Sequence, residues 1–314
     1  MSKIGIDIEK AKQILQNGGL VAIPTETVYG LAANALDKNA VLKIFEAKNR
    51  PYFDPLIIHT DTIDKGKQYI AEFPQWAQQL ADAFWPGPLT LLLPKKNIPD
   101  IVTSGLEQVA VRIPNHKLTL QLLSKLDFPL AGPSANPFGY VSPTSPQHVA
   151  VQLEDKVDYI LDGGICDVGI ESTIAGFEDG KLCVFRLGGL AVEEIEKVAG
   201  KVEIRLNQSS NPKAPGMLKN HYAPKKPLYI GDVNELMKQY NGKKIAVISF
   251  KTDYKINHQQ ILSRKSDLSE AAHNLFGAIR LLDESDADLI IAEKFPDNFL
   301  GRAINDRLQR AAVK

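Results

Sequence analysis

The chain has 314 residues, of which 44% are hydrophobic and 24% charged, and its 37 basic and 37 acidic side chains leave no formal net charge. These proportions exclude disordered, collagen-like and disulfide-scaffold chains. No overall field draws such a chain to nucleic acid or anionic lipid, so any polyanion site must be local. The length predicts two domains.

The two cysteines, Cys166 and Cys183, lack the close pairing and histidine partners of a zinc site and the density of a secreted scaffold. This usage favours a reducing, cytoplasmic location. The N-terminus is polar from the start, and no apolar run approaches the roughly 20 residues that span a bilayer. We therefore expect neither a signal peptide nor a membrane segment.

The first part of the chain alternates short apolar runs with amphipathic stretches. Asp7 is expected to cap a first helix, which Gly18 and Gly19 end. Strands are predicted at 20–23, 56–59, 89–93, 109–112, 159–161 and 182–186, and helices at 39–48, 61–71, 75–84 and 191–199. Buried strands between helices predict an α/β (α+β) sheet covered by helices.

Residues 204–227 are rich in Asn, Ser, Pro and basic side chains and show no apolar periodicity, which is typical of a linker. Beyond it, strands predicted at 228–230, 245–250 and 288–292 alternate with helices at 232–240, 267–284 and a last one ending at 314. This alternation predicts a small Rossmann-like three-layer domain. The chain thus divides into domains at 1–203 and 228–314, joined by a basic linker.

Common catalytic signatures are absent from the sequence, which has no G-x-x-x-x-G-K-[ST], H-E-x-x-H or C-x-x-C. The nearest match to a serine-hydrolase elbow surrounds Ser134 in Gly-Pro-Ser-Ala-Asn. It fails at Asn136, where a glycine is needed to permit the tight turn. A hydrolase that uses Ser134 with His59 or His148 therefore remains only a weak alternative.

Lys48 and Arg50 end a predicted helix just before Pro51. Basic residues are favoured at helix C-termini, so they could simply cap the helix dipole. Alternatively, they form a polyphosphate clamp in which Arg50 binds two oxygens at once and Lys48 acts as a point charge. We expect both side chains to face solvent when no ligand is bound.

Other polar side chains follow predicted strands, where ligand sites of α/β sheets gather. Thr25 lies after the strand at 20–23 and His59 ends the strand at 56–59. The alternatives are a polar turn for Thr25 and a structural role for His59, against binding of a carboxylate or bicarbonate. Ser134 and Asn136 open a loop that contains Ser142, which either folds over phosphate oxygens or is a rigid, proline-rich surface loop.

Weak signals become specific when they occur together and in order. The chain resembles the YrdC family, and more closely its long, two-domain form, in the series PTETVYGL, KNRP, PLIIH, WPGPLTLLLP, VAVRIP, GPSAN, SPT, DGG, ESTI, RLGG and, in the linker, HYAP. The resemblance implies a YrdC-like twisted open sheet with a central cavity. It also implies the joining of L-threonine, bicarbonate and ATP into threonylcarbamoyl-AMP and pyrophosphate, the first step of tRNA threonylcarbamoyladenosine formation.

The resemblance also implies roles for individual residues. Those expected to hold ATP are Lys48, Arg50, Ser134, Asn136, Ser142, Arg186 and Tyr222, and the first four would also act in catalysis. Those expected around L-threonine are Thr25, His59, Arg112 and Ser172. Mg²⁺ would arrive on the triphosphate, without a metal cage made by the protein.

The basic linker is expected to close over bound ATP as a lid that includes Tyr222 of the HYAP segment. Its positive charge comes from six basic residues, namely Lys201, Arg205, Lys213, Lys219, Lys225 and Lys226. The product would pass to the tRNA threonylcarbamoyl transferase machinery. One departure from the family pattern is Tyr52-Phe53-Asp54, a bulkier stretch beside the expected phosphate clamp. An RNA-binding module without catalysis of its own is the alternative from another class, and it predicts salt-sensitive tRNA binding without ATP.

Overall fold

The computed structural model describes residues 3–206 and 222–313, which form two units with one sheet each. The first sheet has eleven strands: β1 (Lys3–Gly5), β2 (Val21–Ile23), β3 (Gly30–Asn34), β4 (Ile57–His59), β5 (Leu89–Pro94), β6 (Gln108–Arg112), β7 (Leu130–Ala131), β8 (Tyr159–Leu161), β9 (Thr173–Glu178), β10 (Lys181–Arg186) and β11 (Glu203–Ile204). Their order is β1-β8-β2-β3-β7-β4-β6-β5-β9-β10-β11. The sheet mixes parallel and antiparallel pairs, as the α+β prediction requires.

Helices cover this sheet, and several begin at a side-chain cap. They are α1 (Ile8–Gln16), α2 (Lys38–Lys48), α3 (Ile63–Lys67), α4 (Gln75–Phe84), α5 (Asp100–Thr103), α6 (Lys117–Ser124), α7 (Pro146–Leu153) and α8 (Val192–Ala199). Asp7 accepts a hydrogen bond from the backbone N–H of Lys10, which confirms the predicted cap of α1. Helix α2 ends at Asn49, whose left-handed backbone (φ 52°) turns the chain toward Arg50.

The second unit has a parallel four-stranded sheet in the order β12-β15-β13-β14. Its elements are β12 (Leu228–Ile230), α9 (Val233–Gln239), β13 (Ile245–Ser249), β14 (His258–Ile261), α10 (Leu268–Glu284), β15 (Leu289–Ala292) and α11 (Phe299–Ala311). On β13, Val247 packs in a small cluster with Val233 of α9, whereas Ala246 and Ile248 belong to the main core. Helices therefore cover both faces, as the three-layer prediction requires.

The main hydrophobic core is continuous across the two units. It contains Val141 of the first unit and Leu275 and Phe276 of α10. The sheet of the first unit reaches Ile204, one residue into the predicted linker, and β12 begins at the predicted Leu228. Most of the linker, including His221 of HYAP, Lys213 and Lys219, lies outside the described residues. In the part of the chain that is described, no helix is long and apolar enough to cross a bilayer.

Candidate active site

The predicted site residues converge at the edge of the first sheet where β4, β6 and β10 end. His59 and Arg112 are the last residues of the parallel strands β4 and β6, and they are register partners. Arg186 ends β10, and Ser172 directly precedes β9, which runs antiparallel to β10. Since strands that run in the same direction end at the same edge, residues far apart in sequence come together here.

These side chains surround a narrow cavity of about 50 Å³. Eight of the eleven predicted residues line it, namely Thr25, Arg50, His59, Arg112, Ser134, Ser172, Arg186 and Tyr222. The other three, Lys48, Asn136 and Ser142, lie behind its wall.

Arg112 anchors the part of the cavity predicted for L-threonine. Its Nη2 lies 2.8 Å from Glu26 Oε2, and its other nitrogens donate to Thr27 Oγ1 at 2.9 Å and to the Gly87 carbonyl at 3.2 Å. Thr25 Oγ1 donates to the carbonyl of Val28 at 2.6 Å. The guanidinium is therefore buried in one fixed orientation, with partners on several sides.

His59 lies beside Arg112 and is 3% exposed. Burial, and secondly the charge of Arg112, lower the pKa of His59 to about 3, so its imidazole is neutral at pH 7. Its Nδ1 is buried with no hydrogen-bond partner in the described part of the chain. Gly132 permits this packing, because a Cβ there would stand only 3.1 Å from the same nitrogen. His59 thus presents a neutral, unpartnered polar atom, which suits hydrogen bonding to a small polar ligand better than a role that requires a protonated imidazole.

Lys48 does not face solvent, and that expectation is wrong. Its side chain is buried, and Nζ donates to the carbonyl oxygens of Ser134 and Asn136, both at 2.5 Å. Burial, followed by the charge of Arg50, holds the pKa of Lys48 well below its ordinary value. The carbonyls replace water around the amino group, so Lys48 fixes the backbone of the Ser134–Asn136 loop in this conformation.

Arg50 is buried as well, for a similar reason. Its Nη2 lies 2.8 Å from Asp54 Oδ2, and the guanidinium donates to the carbonyls of Asp54 at 3.1 Å and Pro55 at 2.9 Å. Asp54 belongs to the stretch that departs from the family pattern. Its carboxylate neutralises the charge that burial would otherwise make costly, and the backbone oxygens satisfy further guanidinium donors.

The loop after β7 holds the remaining predicted phosphate ligands. Ser134 forms an isolated bridge with Gly30, which places it against the cavity. The Asn136 amide donates to the carbonyls of Pro137 at 2.9 Å and Tyr140 at 2.8 Å. Its Oδ1 is buried without a hydrogen-bond partner among the described residues, although Asn136 does not line the cavity.

Sequence reasoning missed two charged residues, Glu171 and Arg307, that connect the Ser142 segment to the second unit. Ser142 Oγ donates to Glu171 Oε1 at 2.5 Å, and Glu171 Oε2 pairs at 2.9 Å with Nε of Arg307, which lies on α11 of the second unit. Arg186 donates to the carbonyl and hydroxyl oxygens of Ser172, both at 2.9 Å. No local signal could identify Arg307, because it meets Glu171 across 136 positions of sequence.

Tyr222, the first described residue after the linker gap, closes the cavity from the side of the second unit. It is 1% exposed and has a left-handed backbone (φ 66°). Its ring stacks on Phe276 with centroids 5.5 Å apart and lies under the guanidinium groups of Arg307 and Arg310 at 5.1 and 5.0 Å. The position agrees with a lid, although the role itself stays a prediction.

Two further expectations concern hydrolysis and metal binding. No hydrogen bond joins Ser134 to His59 or His148 in the described ranges, and His148 instead contacts Thr144. Nothing in this geometry favours the hydrolase alternative. Across residues 3–206 and 222–313, no group of three or more His, Cys, Asp or Glu side chains is arranged to hold a metal ion.

Comparisons with known proteins agree with this geometry. A family model for Sua5, YciO and YrdC, described as telomere recombination, matches residues 13–188, and one described as the threonylcarbamoyl-AMP synthase C-terminal domain matches residues 190–313. Similar curated proteins include threonylcarbamoyl-AMP synthases of Pyrococcus abyssi and Bacillus subtilis. They are 41% and 40% identical and cover 97% of this chain, which in turn covers 94% and 92% of them.

Solved structures give the same result. The crystal structure of Pyrococcus abyssi Sua5 complexed with L-threonine is 40% identical and superposes with a TM-score of 0.93, covering 99% of this chain and 97% of that one. The likeness therefore extends over both units. The chain belongs to the Sua5, YciO and YrdC family, in the form that carries the threonylcarbamoyl-AMP synthase C-terminal domain.

Proposed function

We propose that this protein synthesises L-threonylcarbamoyl-AMP from L-threonine, bicarbonate and ATP and releases pyrophosphate. The observation that carries the proposal is the buried cavity, at which Arg50, Arg112 and Arg186 meet neutral His59 and several hydroxyl groups. It occurs in a chain 41% identical over nearly its whole length to a threonylcarbamoyl-AMP synthase. In reaction class the protein would be a nucleotidyltransferase, since an adenylyl group moves from ATP to a carbamate.

L-Threonine would bind beside Arg112 and His59. A fixed guanidinium suits a carboxylate, and Arg112 is already held by Glu26 and Thr27 in the orientation it would present. The free Nδ1 of His59 and the hydroxyls of Thr25 and Ser172 would contact the small polar groups of threonine and bicarbonate. The similar Pyrococcus abyssi protein has been crystallised with L-threonine, which supports this assignment.

The triphosphate would lie toward Arg50, Ser134 and Arg186, with Ser142 and Tyr222 nearer the second unit. Lys48 would act from behind the wall, where two of its three donors hold the Ser134–Asn136 loop. Mg²⁺ would enter with ATP as part of the substrate and neutralise phosphate charge.

The chemistry demands positioning and charge stabilisation more than a covalent nucleophile. The threonine nitrogen attacks the carbon of bicarbonate and forms a carbamate with loss of water. A carbamate oxygen then attacks the α-phosphorus, and pyrophosphate leaves with the electrons of the broken P–O bond. Negative charge stays on oxygen atoms throughout, so fixed guanidinium groups are the residues that lower the barrier.

The linker would serve as a lid. Tyr222 packs against the cavity from the linker side, and Lys225 and Lys226 follow it in the sequence. A closed lid excludes water from the carbamate, which otherwise decomposes. We further propose a cytoplasmic location and delivery of the adenylate to the tRNA threonylcarbamoyl transferase machinery. An RNA-binding role without catalysis is not favoured.

The decisive experiment is pyrophosphate release by the purified protein with ATP, Mg²⁺ and bicarbonate, with and without L-threonine, together with mass detection of the adenylate. We expect release that requires both L-threonine and bicarbonate, and D-threonine serves as the matched control. A folded protein that releases no pyrophosphate under any of these conditions would contradict the proposal.

A further inference from the structure

The second unit reaches the candidate nucleotide site through a buried arginine. Arg307 lies on α11 and is fully buried. Its Nε pairs with Glu171 Oε2 at 2.9 Å, its Nη1 with Asp306 Oδ2 at 2.7 Å, and its Nη2 donates to the Leu187 carbonyl at 2.7 Å. Each guanidinium nitrogen thus has a named partner, and two of the three partners belong to the first unit.

Glu171 is the group through which Arg307 meets the cavity. Glu171 lines the cavity and accepts from Ser142 Oγ on its other oxygen atom. Its backbone is fixed as well: the Gly189 N–H donates to its carbonyl at 2.8 Å, and a Cβ on Gly188 would stand 2.3 Å from the same oxygen. The carboxylate therefore has one orientation, which it imposes on the Ser142 hydroxyl.

A buried carboxylate is an obstacle in a site for a triphosphate. Burial alone would raise the pKa of Glu171, but Arg307 first, then Arg186 and the Ser142 hydroxyl, outweigh burial and hold that pKa below its ordinary value. The carboxylate stays ionised and would repel phosphate if it were not neutralised. Its closest cationic partner comes from the second unit, not from the YrdC-like domain.

The backbone of the Ser142 segment is also held from the second unit. Arg280 of α10 is 5% exposed and donates to the carbonyls of Val141 and, at 3.4 Å, of Ser142. Tyr140, two residues earlier, donates its hydroxyl to Asp283 of the same helix at 2.6 Å. Ser142 is therefore fixed twice, by its backbone through Arg280 and by its hydroxyl through Glu171 and Arg307.

We propose that Arg307 is a positioning residue for ATP binding: it neutralises Glu171 and, through Glu171, sets the Ser142 hydroxyl at the nucleotide side of the cavity. This inference rests on the proposed function, because it assigns ATP to that side. It gives the C-terminal domain a part in substrate binding besides tethering the linker. Arg307 itself would not touch the reacting atoms.

The test is a double-mutant cycle with Arg307→Met, Glu171→Gln and the double variant, in the full chain. ATP dissociation constants come from direct titration, and kcat and KM from threonine-dependent pyrophosphate release. Arg307→Met leaves a buried, uncompensated carboxylate, so the Kd and KM for ATP should rise about tenfold or more, with a much smaller fall in kcat. In the Glu171→Gln background the same change should alter both constants by less than about threefold.

The matched control is Arg302→Met. Arg302 also lies on α11 and also reaches a carboxylate of the first unit, Glu193 at 3.4 Å, but this pair is only half-buried and neither residue lines the cavity. The Arg302→Met variant should leave ATP binding unchanged. An equal loss of ATP affinity from Arg307→Met in both backgrounds would show that Arg307 only holds the units together, and would overturn the inference.

The test still gives a decision if the Arg307→Met variant does not fold or if the wild type lacks activity. If Arg307→Met does not fold, Glu171→Gln is compared directly with the double variant: constants within about threefold support the inference, and a larger difference overturns it. A wild type that binds ATP but releases no pyrophosphate contradicts the proposed function alone, while the titrations still decide the role of Arg307. A wild type that binds no ATP overturns both.

Discussion

The Arg50 guanidinium and the Asp54 carboxylate, four residues apart in sequence, form an ion pair of 2.8 Å, and both side chains are almost fully buried. Arg50 lines the cavity, so the pair places a negative charge directly behind a cation that is proposed to bind phosphate. The carboxylate stabilises the protein without ligand and would compete with a triphosphate for the same guanidinium. We therefore expect protein stability and ATP affinity to oppose each other at this position.

Asp54→Asn should separate these two effects. Breaking a buried ion pair costs about 3 to 5 kcal/mol of unfolding free energy. Because the asparagine amide can still accept a hydrogen bond, we expect a loss near the lower end of that range. The freed charge of Arg50 should lower the KM for ATP several-fold. Denaturant unfolding and ATP kinetics measure the two quantities.

The control for Asp54→Asn is Asp100→Asn, which breaks the surface pair with Lys95 at 2.7 Å. Because Asp100 is largely exposed, that change should affect stability far less and leave ATP kinetics unaltered. A KM for ATP that rises in Asp54→Asn would show that Asp54 orients Arg50 for phosphate and does not compete with it.

Lys48→Met tests the second buried cation. Nζ holds two carbonyls of the Ser134–Asn136 loop, so its loss should disorder that loop as well as remove a positive charge. We expect kcat/KM to fall about 10² to 10³-fold, as for the loss of one preorganised donor. Unlike the loss of a solvent-facing clamp, it should also lower the unfolding free energy measurably.

Lys43→Met is a suitable control for Lys48→Met, since Lys43 lies on the same helix and donates to the carbonyl of Gly18 at 2.7 Å, away from the cavity. Turnover should survive this change. Full activity and unchanged stability in Lys48→Met would return Lys48 to a helix-capping role.

Hydrophobic periodicity predicted the helices and strands whose burial can be read from their own stretch of sequence. The strand at Tyr159–Leu161 and the helix at Gln75–Phe84 have the predicted bounds. The strand at His258–Ile261 was missed because its sequence, HQQI, is half-buried at a sheet edge and carries no apolar alternation. The strand at Gly30–Asn34 is buried inside the sheet, but it was missed because its mostly small residues include none of the β-branched or aromatic side chains typical of strands.

The sequence predicted which residues form the site, but not which hydrogen bonds and ion pairs connect them. Strand ends and the family motifs identified the side chains that line the cavity. What they bind depends on neighbours far away in sequence, such as Ser134 and Asn136 for Lys48 and Arg307 for Glu171. The sequence marked Asp54 only as part of a bulkier stretch, and the fold shows that it forms a buried ion pair with Arg50.

The low pKa of His59 predicts a stability loss in acid. Its folded pKa of about 3 lies below the ordinary value of 6.5, so between these limits the unfolded chain binds a proton that the folded protein does not. Stability contributed by neutral His59 is complete above pH 6.5 and is lost as pH falls toward 3. The slope is at most about 1.4 kcal/mol per pH unit for one proton.

His59→Asn should therefore flatten the fall in unfolding free energy between pH 6.5 and pH 4, measured by denaturant titration at several pH values. The wild type is the reference, since its other acid-sensitive groups, such as His148 with a pKa of about 4, are retained in the variant. An unchanged slope would mean that the pKa of His59 is not depressed in the folded protein, so that folded and unfolded chains gain this proton at the same pH.

Tyr222 offers a test of the lid that keeps the C-terminal domain intact, whereas truncation would also remove Arg280 and Arg307 from the site. Tyr222→Ala removes the ring that closes the cavity, so the KM for ATP should rise about tenfold and water should reach the carbamate. Tyr222→Phe keeps the stack on Phe276 and is the matched control. The readout is kcat for pyrophosphate release at saturating ATP, L-threonine and bicarbonate, because a carbamate that decomposes before it attacks the α-phosphorus yields neither pyrophosphate nor adenylate. A kcat in Tyr222→Ala equal to that of the wild type would show that the cavity protects the carbamate without this side chain, because no other described residue of the linker lines it.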